Sequence, residues 1–251
     1  MLIQQRKQFI LNRLKTEGQV VAKVISAELN LSEDTIRRDL RELAHEGLLL
    51  RVHGGALPAS PAVVDFAGRE ALASEEKRAI GRAAAAMVRT GQVVILDGGT
   101  TARELARQLS PSLRATVVTH SPTIAVVLAS HPEVEVVLIG GRLFKHSVVS
   151  VGAAAIESIF HIRADVYFMG VTGIHAERGL STGDFEECHV KRALMNAAAE
   201  TIVLASPEKL NTASPYVIAG MTDIDGMVVP AGVPDGALAP YRALGVVITK
   251  A

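Results

Sequence analysis

The stretch Ile95-Leu-Asp97-Gly-Gly-Thr100-Thr101-Ala-Arg-Glu-Leu-Ala-Arg-Gln-Leu109 decides how the larger part of the chain is read. An apolar run stops at Asp97 and a helical pattern starts at Thr100, so the segment reads as strand, tight turn and helix. Gly98 and Gly99 let the backbone reverse sharply, and the first NH groups of a helix point outward, unpaired, at its positive end. Such a corner is an anion site. The hydroxyls of Thr100 and Thr101 either cap the helix or donate to a bound phosphate. Taken alone, a short glycine-rich turn is a weak signal, and the simpler reading is a turn with a capping threonine.

Its surroundings add to it. Short Val-rich runs at 93–96, 116–118, 134–139, 165–169, 202–205, 227–229 and 246–248 alternate with helical patterns at 74–88, 102–109, 122–129, about 150–160, and 185–199. Asp184 and Glu187 stand at capping-box spacing at the start of the last of these. Strands of this kind, interleaved with helices, predict a buried parallel sheet in an α/β domain. The strands end in small or polar residues: Asp97-Gly-Gly-Thr100, Thr119-His-Ser121, Gly140-Gly141, Gly170-Val-Thr-Gly173 and Ser206. Ligands of open parallel sheets bind at the carboxyl ends of strands, so these ends are expected to converge on one crevice. The alternative is that βα turns simply favour such residues.

The first sixty residues follow another pattern. A helix over 6–16 is followed by a shorter one with Val21, Val24, Ile25 and Leu29 as its apolar stripe. Asn30-Leu31-Ser32 then makes a tight turn, with Ser32 as the N-cap of a third helix over 33–46. That helix turns Ile36, Leu40, Leu43 and Ala44 inward and collects Asp34, Arg37, Arg38, Arg41, Glu42 and His45 outside. Guanidinium groups on the second helix of a helix-turn-helix can read guanine edges or clamp phosphates, and the helix start presents Thr35, Arg37 and Arg38. A solvated, ion-paired face is the competing reading. Leu48 to Ala56 suits a small β-wing that would carry Arg51 and His53 to the DNA backbone or minor groove.

Thr35-Ile-Arg-Arg-Asp-Leu40 followed by Arg51-Val-His-Gly-Gly-Ala56 resembles the DNA-binding domain of the DeoR family of bacterial transcriptional regulators. The resemblance implies that Thr35, Arg37 and Arg38 contact operator DNA. The remainder is similar to the sensor domain of that family, whose fold is that of ribose-5-phosphate isomerase and glucosamine-6-phosphate deaminase. The matches are Asp97 to Thr101, Thr119 and Ser121, Gly140-Gly141, Thr182-Gly-Asp184 through Glu187, and Lys209. They imply a sensor for a phosphorylated sugar or related metabolite, held at its phosphate by Gly99, Thr100 and Thr101. One departure stands out. Ser206-Pro-Glu-Lys209 replaces the family's Asp, two residues, Lys, which puts a contact to sugar hydroxyls in question.

The expected organisation is a winged helix-turn-helix over 1–56, a linker over 57–73 marked by Pro58, Ser60 and Pro61, and an effector-sensing domain over 74–251. Hydrophobic content of 49% with 21% charged residues fits a globular chain with a substantial core. The apolar runs fall short of the roughly 18 residues of a membrane span, and the N-terminus lacks an apolar signal core, so a cytoplasmic protein is expected. Net charge is zero, with residues 1–56 at +2 and the rest at −2. The lone Cys188 reads as a small buried hydrophobe. The histidines show no metal-ligand spacing, and no cofactor is expected. Asp97, Asp184 and Glu187 are the candidate bases of an isomerase or deaminase that carries an accessory DNA-binding module. A regulator, by expectation a repressor acting as a dimer or tetramer on double-stranded operator DNA, needs the first domain and is the preferred reading.

Overall fold

The computed structural model describes residues 1–61, 64–72 and 74–251; Ala62, Val63 and Ala73 of the expected linker lie outside the described residues. The chain opens with α1 (Ile3–Glu17), ended by Gly18 at φ +73°, then β1 (Val20–Val21) and α2 (Ala22–Leu29). Asn30 takes a left-handed conformation, φ 52°, and α3 (Glu33–His45) follows, its first turn held by Ser32, which accepts from the Thr35 amide at 3.2 Å. A hairpin of β2 (Leu49–Val52) and β3 (Gly55–Pro58) adds to β1 in the order β1-β3-β2. Gly55 is required there, because a Cβ would lie 1.9 Å from the Val20 carbonyl oxygen. Ile10, Leu14, Ile25, Ile36, Leu40 and Leu43 fill the small core. Arg6 and Asp39 form a buried ion pair beside it. Asp39 is thus the one acidic residue of α3 that faces inward, and it fastens the helix to α1.

The segment read as a linker contains a helix, α4 (Phe66–Ala71), capped by Asp65, which accepts from the Gly68 amide at 2.9 Å. After it come α5 (Ser74–Ala85), β4 (Val93–Leu96), α6 (Thr100–Gln108), β5 (Thr116–Thr119), α7 (Pro122–Leu128) and β6 (Glu135–Leu138). β7 (Arg142–Phe144) and β8 (Val149–Val151) form a hairpin, followed by α8 (Ala153–Phe160) and β9 (Ala164–Met169). β10 (Gly173–His175) and β11 (Gly179–Thr182) lead to α9 (Phe185–Asn196) and β12 (Ala198–Leu204). β13 (Tyr216–Ala219), β14 (Gly226–Val229), α10 (Asp235–Ala243) and β15 (Val247–Lys250) complete the chain. Several expected boundaries move, the 74–88 helix for one stopping at Ala85. Ser150 lies in β8, so the helix expected from about 150 starts at Ala153, and the 185–199 helix stops at Asn196 because Ala198 already pairs with Ala164 of β9.

Seven strands form one parallel sheet in the order β15-β14-β12-β9-β4-β5-β6. Its strands alternate: Val94 and Leu96 face one core with Ile80, Leu105 and Ile124, while Ile95 and Tyr167 face another with Ile159, Val190 and Leu238. The result is three layers, helices on both faces of the sheet. From β4 the chain first proceeds to β5 and β6, then crosses back to β9. The order therefore reverses between β4 and β9, and the loops that leave their carboxyl ends diverge to form a crevice. A small antiparallel sheet, β10-β11-β13, closes that end.

Candidate functional site

At the reversal point lies a small open cavity of about 30 Å³, walled by Gly98, Gly99, Thr100, Thr101, Gly170 and Thr172 together with charged side chains of α4, α5, α9 and the turn at 206–209. The backbone makes this corner possible. Gly99 is the N-cap of α6 at φ +109°, a conformation costly for any side chain. A Cβ on Gly98 would stand 2.1 Å from a methyl of Val149. No side chain caps α6, so neither threonine does the capping job available to it. The Thr101 hydroxyl is buried and has no partner among the described residues. The residues at the open helix start, Thr100, Thr101 and Ala102, line the cavity.

Beneath them Asp97 is fully buried and fully bonded. Its Oδ1 accepts from the Gly98 amide at 2.8 Å and meets His120 Nε2 at 2.8 Å; its Oδ2 accepts from the Gly170 amide at 2.7 Å and Lys191 Nζ at 2.5 Å. Burial alone would raise this carboxyl, but Lys191 and then His120 outweigh it and hold it well below the usual carboxylate range. Burial likewise opposes the charge of Lys191, and Asp97 and Glu187 overcome it, so Lys191 is raised. Glu187 pairs with Lys191 at 3.3 Å and accepts from Thr182 Oγ1 at 3.1 Å.

Among the described residues the other cations of the wall have no carboxylate partner within ion-pair distance. Lys209 is 7% exposed, and burial pushes it down to about 8, with Lys77, Arg69 and Lys191 adding to the fall and Glu208 opposing it. Lys77 is lowered by burial too; its Nζ donates to the Arg69 carbonyl at 2.6 Å. The Ser206 hydroxyl, which stands where the family carries a carboxylate, donates to Glu208 at 2.7 Å, leaving the other Glu208 oxygen buried and unpaired at the cavity.

Of the residues anticipated for the effector, Gly98, Gly99, Thr100, Thr101, Glu187 and Lys209 line the cavity and Asp97 braces it from below. Asp184 caps α9, accepting from the Glu187 amide at 2.8 Å, and edges an adjoining opening. Thr119, Ser121 and Gly141 are placed elsewhere. The Thr119 hydroxyl donates to the Leu96 carbonyl, Ser121 Oγ meets Thr123 Oγ1 and the Val148 carbonyl, and Gly141 packs against Val151. Arg69, Lys77, Lys191 and Glu208 were not anticipated. Lys191 alone had a local signal, four residues after Glu187 on one helix face. Cys188 is buried.

At the other end of the chain, Arg37, Arg38 and Arg41 are all exposed on α3, and Arg51 and His53 are exposed on the hairpin. Arg37 pairs with Glu33 at 2.8 Å, whereas Arg38, Arg41 and Arg51 form no ion pair among the described residues. Ser32 and Thr35, joined hydroxyl to hydroxyl at 2.9 Å, mark the helix start. The competing picture of a face neutralised by its own carboxylates therefore holds for Arg37 and fails for the rest.

Residues 6–61 match the DeoR-like helix-turn-helix domain and residues 72–230 match the DeoR C terminal sensor domain. Relatives include the HTH-type transcriptional repressor GlcR of Bacillus subtilis, 34% identical over 90% of this chain and 87% of that protein. The HTH-type transcriptional regulator GlpR of Haloferax volcanii is 34% identical over 90% and 89%. The glycerol-3-phosphate regulon repressor of Escherichia coli K12 is 29% identical over 92% of both. Among solved structures, ribose 5-phosphate isomerase A of Methanocaldococcus jannaschii overlaps 54% of each chain at TM-score 0.40 and 16% identity. The full-length sorbitol operon regulator SorC of Klebsiella pneumoniae overlaps 81% and 90% at TM-score 0.40 and 15% identity. Among the described residues no helix is long and apolar enough to cross a membrane. With a helix-turn-helix at one end and a sensor domain over most of the remainder, the chain belongs to the DeoR family of DNA-binding transcriptional regulators.

Proposed function

We propose that this protein is a cytoplasmic repressor whose grip on operator DNA is released by a phosphorylated sugar or a related phosphate ester bound in the cavity at the sheet's reversal point. The division is a DNA-binding unit over 1–56, a joining segment over 57–73 and a sensing domain over 74–251. The observation that carries the reading is positive potential left unmet: the open amides of α6, the unpaired Thr101 hydroxyl, and buried Lys77 and Lys209 around one cavity. A phosphate dianion supplies what they lack. Gly98 to Thr101 and Lys209 take the phosphate, while Glu187 and Glu208 offer acceptors to hydroxyls at the other end of the ligand. That one relative is named for a glycerol-3-phosphate regulon supports a phosphate ester.

On the DNA side, Ser32, Thr35, Arg37, Arg38 and Arg41 enter the major groove, with Arg51 and His53 on the flanking backbone. A homodimer or larger assembly presents two such helices to successive groove faces. Catalysis is the weaker reading. A general base needs a pKa near the working pH, and Asp97 is held far below it with both oxygens occupied.

A thermal-shift panel of sugar and polyol phosphates beside their unphosphorylated forms tests the reading, because a ligand of the native state raises its melting temperature. Stabilisation by a phosphate ester but not by the free polyol is expected. No response to any member, or turnover of an aldose or amino-sugar phosphate, contradicts it.

A further inference from the structure

Arg69 belongs to α4, inside the segment that joins the wing to the sheet domain, and its side chain forms part of the cavity wall. Its Nε and Nη2 are shut off from solvent and make no hydrogen bond among the described residues. Burial lowers it from the ordinary arginine value, against the pull of Glu187, Asp65 and Asp97. A guanidinium in that position is unfavourable unless something else brings acceptors to it. Its neighbours nevertheless hold it in place. The Phe66 amide donates to the His146 carbonyl at 2.9 Å, and the Phe66 ring lies 5.1 Å from the Arg103 guanidinium carbon. Glu70 pairs with Arg103 of α6. Thus α4 is fastened to the helix whose N-terminus opens on the cavity.

The opposite end of the joining segment bears on the same cavity. The Pro58 carbonyl, at the end of β3, accepts from the Ala213 amide at 3.2 Å. The Ser60 hydroxyl donates to the carbonyl of Thr172, a wall residue. Strand β3 of the wing therefore runs within a few residues into contacts that surround the ligand space.

We propose that Arg69 is a ligand to the effector's anionic group, so that the segment joining the two units is itself a wall of the effector site and is pinned by the bound anion. This rests on the reading of the cavity as an anion site. The planar guanidinium takes two oxygens of a phosphate whose remaining oxygens face the Thr101 hydroxyl and the α6 amides. Binding then acts directly on the segment that carries the wing. An effector alters operator affinity only through such a contact, one that differs between the arrangements of the two units.

The test uses the full-length protein, inorganic phosphate as the probe, and the variants Arg69→Met, Arg69→Lys, Lys209→Met and Thr101→Val. Calorimetric titration of Arg69→Met is expected to show phosphate bound at least tenfold more weakly. Arg69→Lys, which keeps the charge and loses the fork, recovers only part of that. Without phosphate, Arg69→Met melts at or above the wild-type temperature, since its two buried nitrogens had no partner to lose; a purely structural arginine would lower it. Phosphate protects the amides of residues 65–72 from hydrogen exchange in the wild type and not in Arg69→Met. Wild-type affinity in both Arg69 variants, with binding lost in Lys209→Met and Thr101→Val, overturns the assignment of Arg69 and leaves the cavity reading standing. No binding to the wild type, or unchanged binding in all four variants, overturns both.

Discussion

Replacing Lys209 with methionine is predicted to stabilise the empty protein and to abolish its response to phosphate, two effects of opposite sign from one substitution. Burial lowers Lys209 from 10.5 to about 8. At ~1.4 kcal/mol per pKa unit, holding the ammonium in the folded state at neutral pH costs about 3 kcal/mol. Water at the cavity mouth screens part of this, so Lys209→Met should gain about 1–3 kcal/mol, an upward Tm shift of several degrees. The pH dependence follows from the sign of the shift. Between about 8 and 10.5 the unfolded chain binds the proton that the folded one has released, so Lys209 makes stability rise with pH across that window. The advantage of the variant over the wild type must therefore shrink from pH 7 to pH 10. Differential scanning fluorimetry in a buffer free of phosphate and sulfate measures both. Added phosphate should reverse the order, raising the Tm of the wild type alone. A variant that melts below the wild type in anion-free buffer, or that keeps the full phosphate shift, refutes the reasoning.

Other perturbations probe the remaining parts. Asp39→Ala leaves Arg6 buried without its partner and should cost the N-terminal unit about 3–5 kcal/mol in urea denaturation, with the transition of the sheet domain unmoved. Arg38→Ala and Arg41→Ala, which break no ion pair, should each lower the salt slope of duplex binding by about one and weaken it; Arg37→Ala, already paired to Glu33, should do less. Asp97 contributes stability that is fully present above about pH 4 and lost as pH falls below it, so an acid denaturation profile of Asp97→Asn should be flatter than that of the wild type and lie below it at pH 7.

The helix-turn-helix was legible because its signals are local. Ile36, Leu40 and Leu43 recur at helical spacing, Ser32 caps where a hydroxyl before Glu33 should, and the arginines fall on the opposite arc. The β4–turn–α6 corner was legible for the same reason. Strand order was not, since β9 beside β4 pairs residues about seventy apart and no periodicity reports such a partner. The three-residue strands β7, β8 and β10 are too short to show an alternation. The site was half visible. Glycines and threonines at strand ends mark a turn whether or not a ligand uses it, so Thr119, Ser121 and Gly141 carry the same signal as Thr101 while their contacts are with backbone and neighbouring side chains. The cations were hidden for the opposite reason. Arg69 and Lys77 sit among charged residues in sequence, and only the docking of α4 and α5 over the crevice half-buries the first and buries the second.

Regulation of this kind requires one coupling, between a small anion in the cavity and the arginine face of α3. It is measured most directly by titrating the protein, at fixed salt, onto a duplex selected from a random pool, with and without each member of a panel of sugar phosphates. At least one phosphate ester should weaken binding to the duplex by tenfold or more, and Thr101→Val combined with Lys209→Met should bind the duplex normally and ignore the ester. Duplex affinity that no phosphate ester changes, or that changes equally in the double variant, contradicts it.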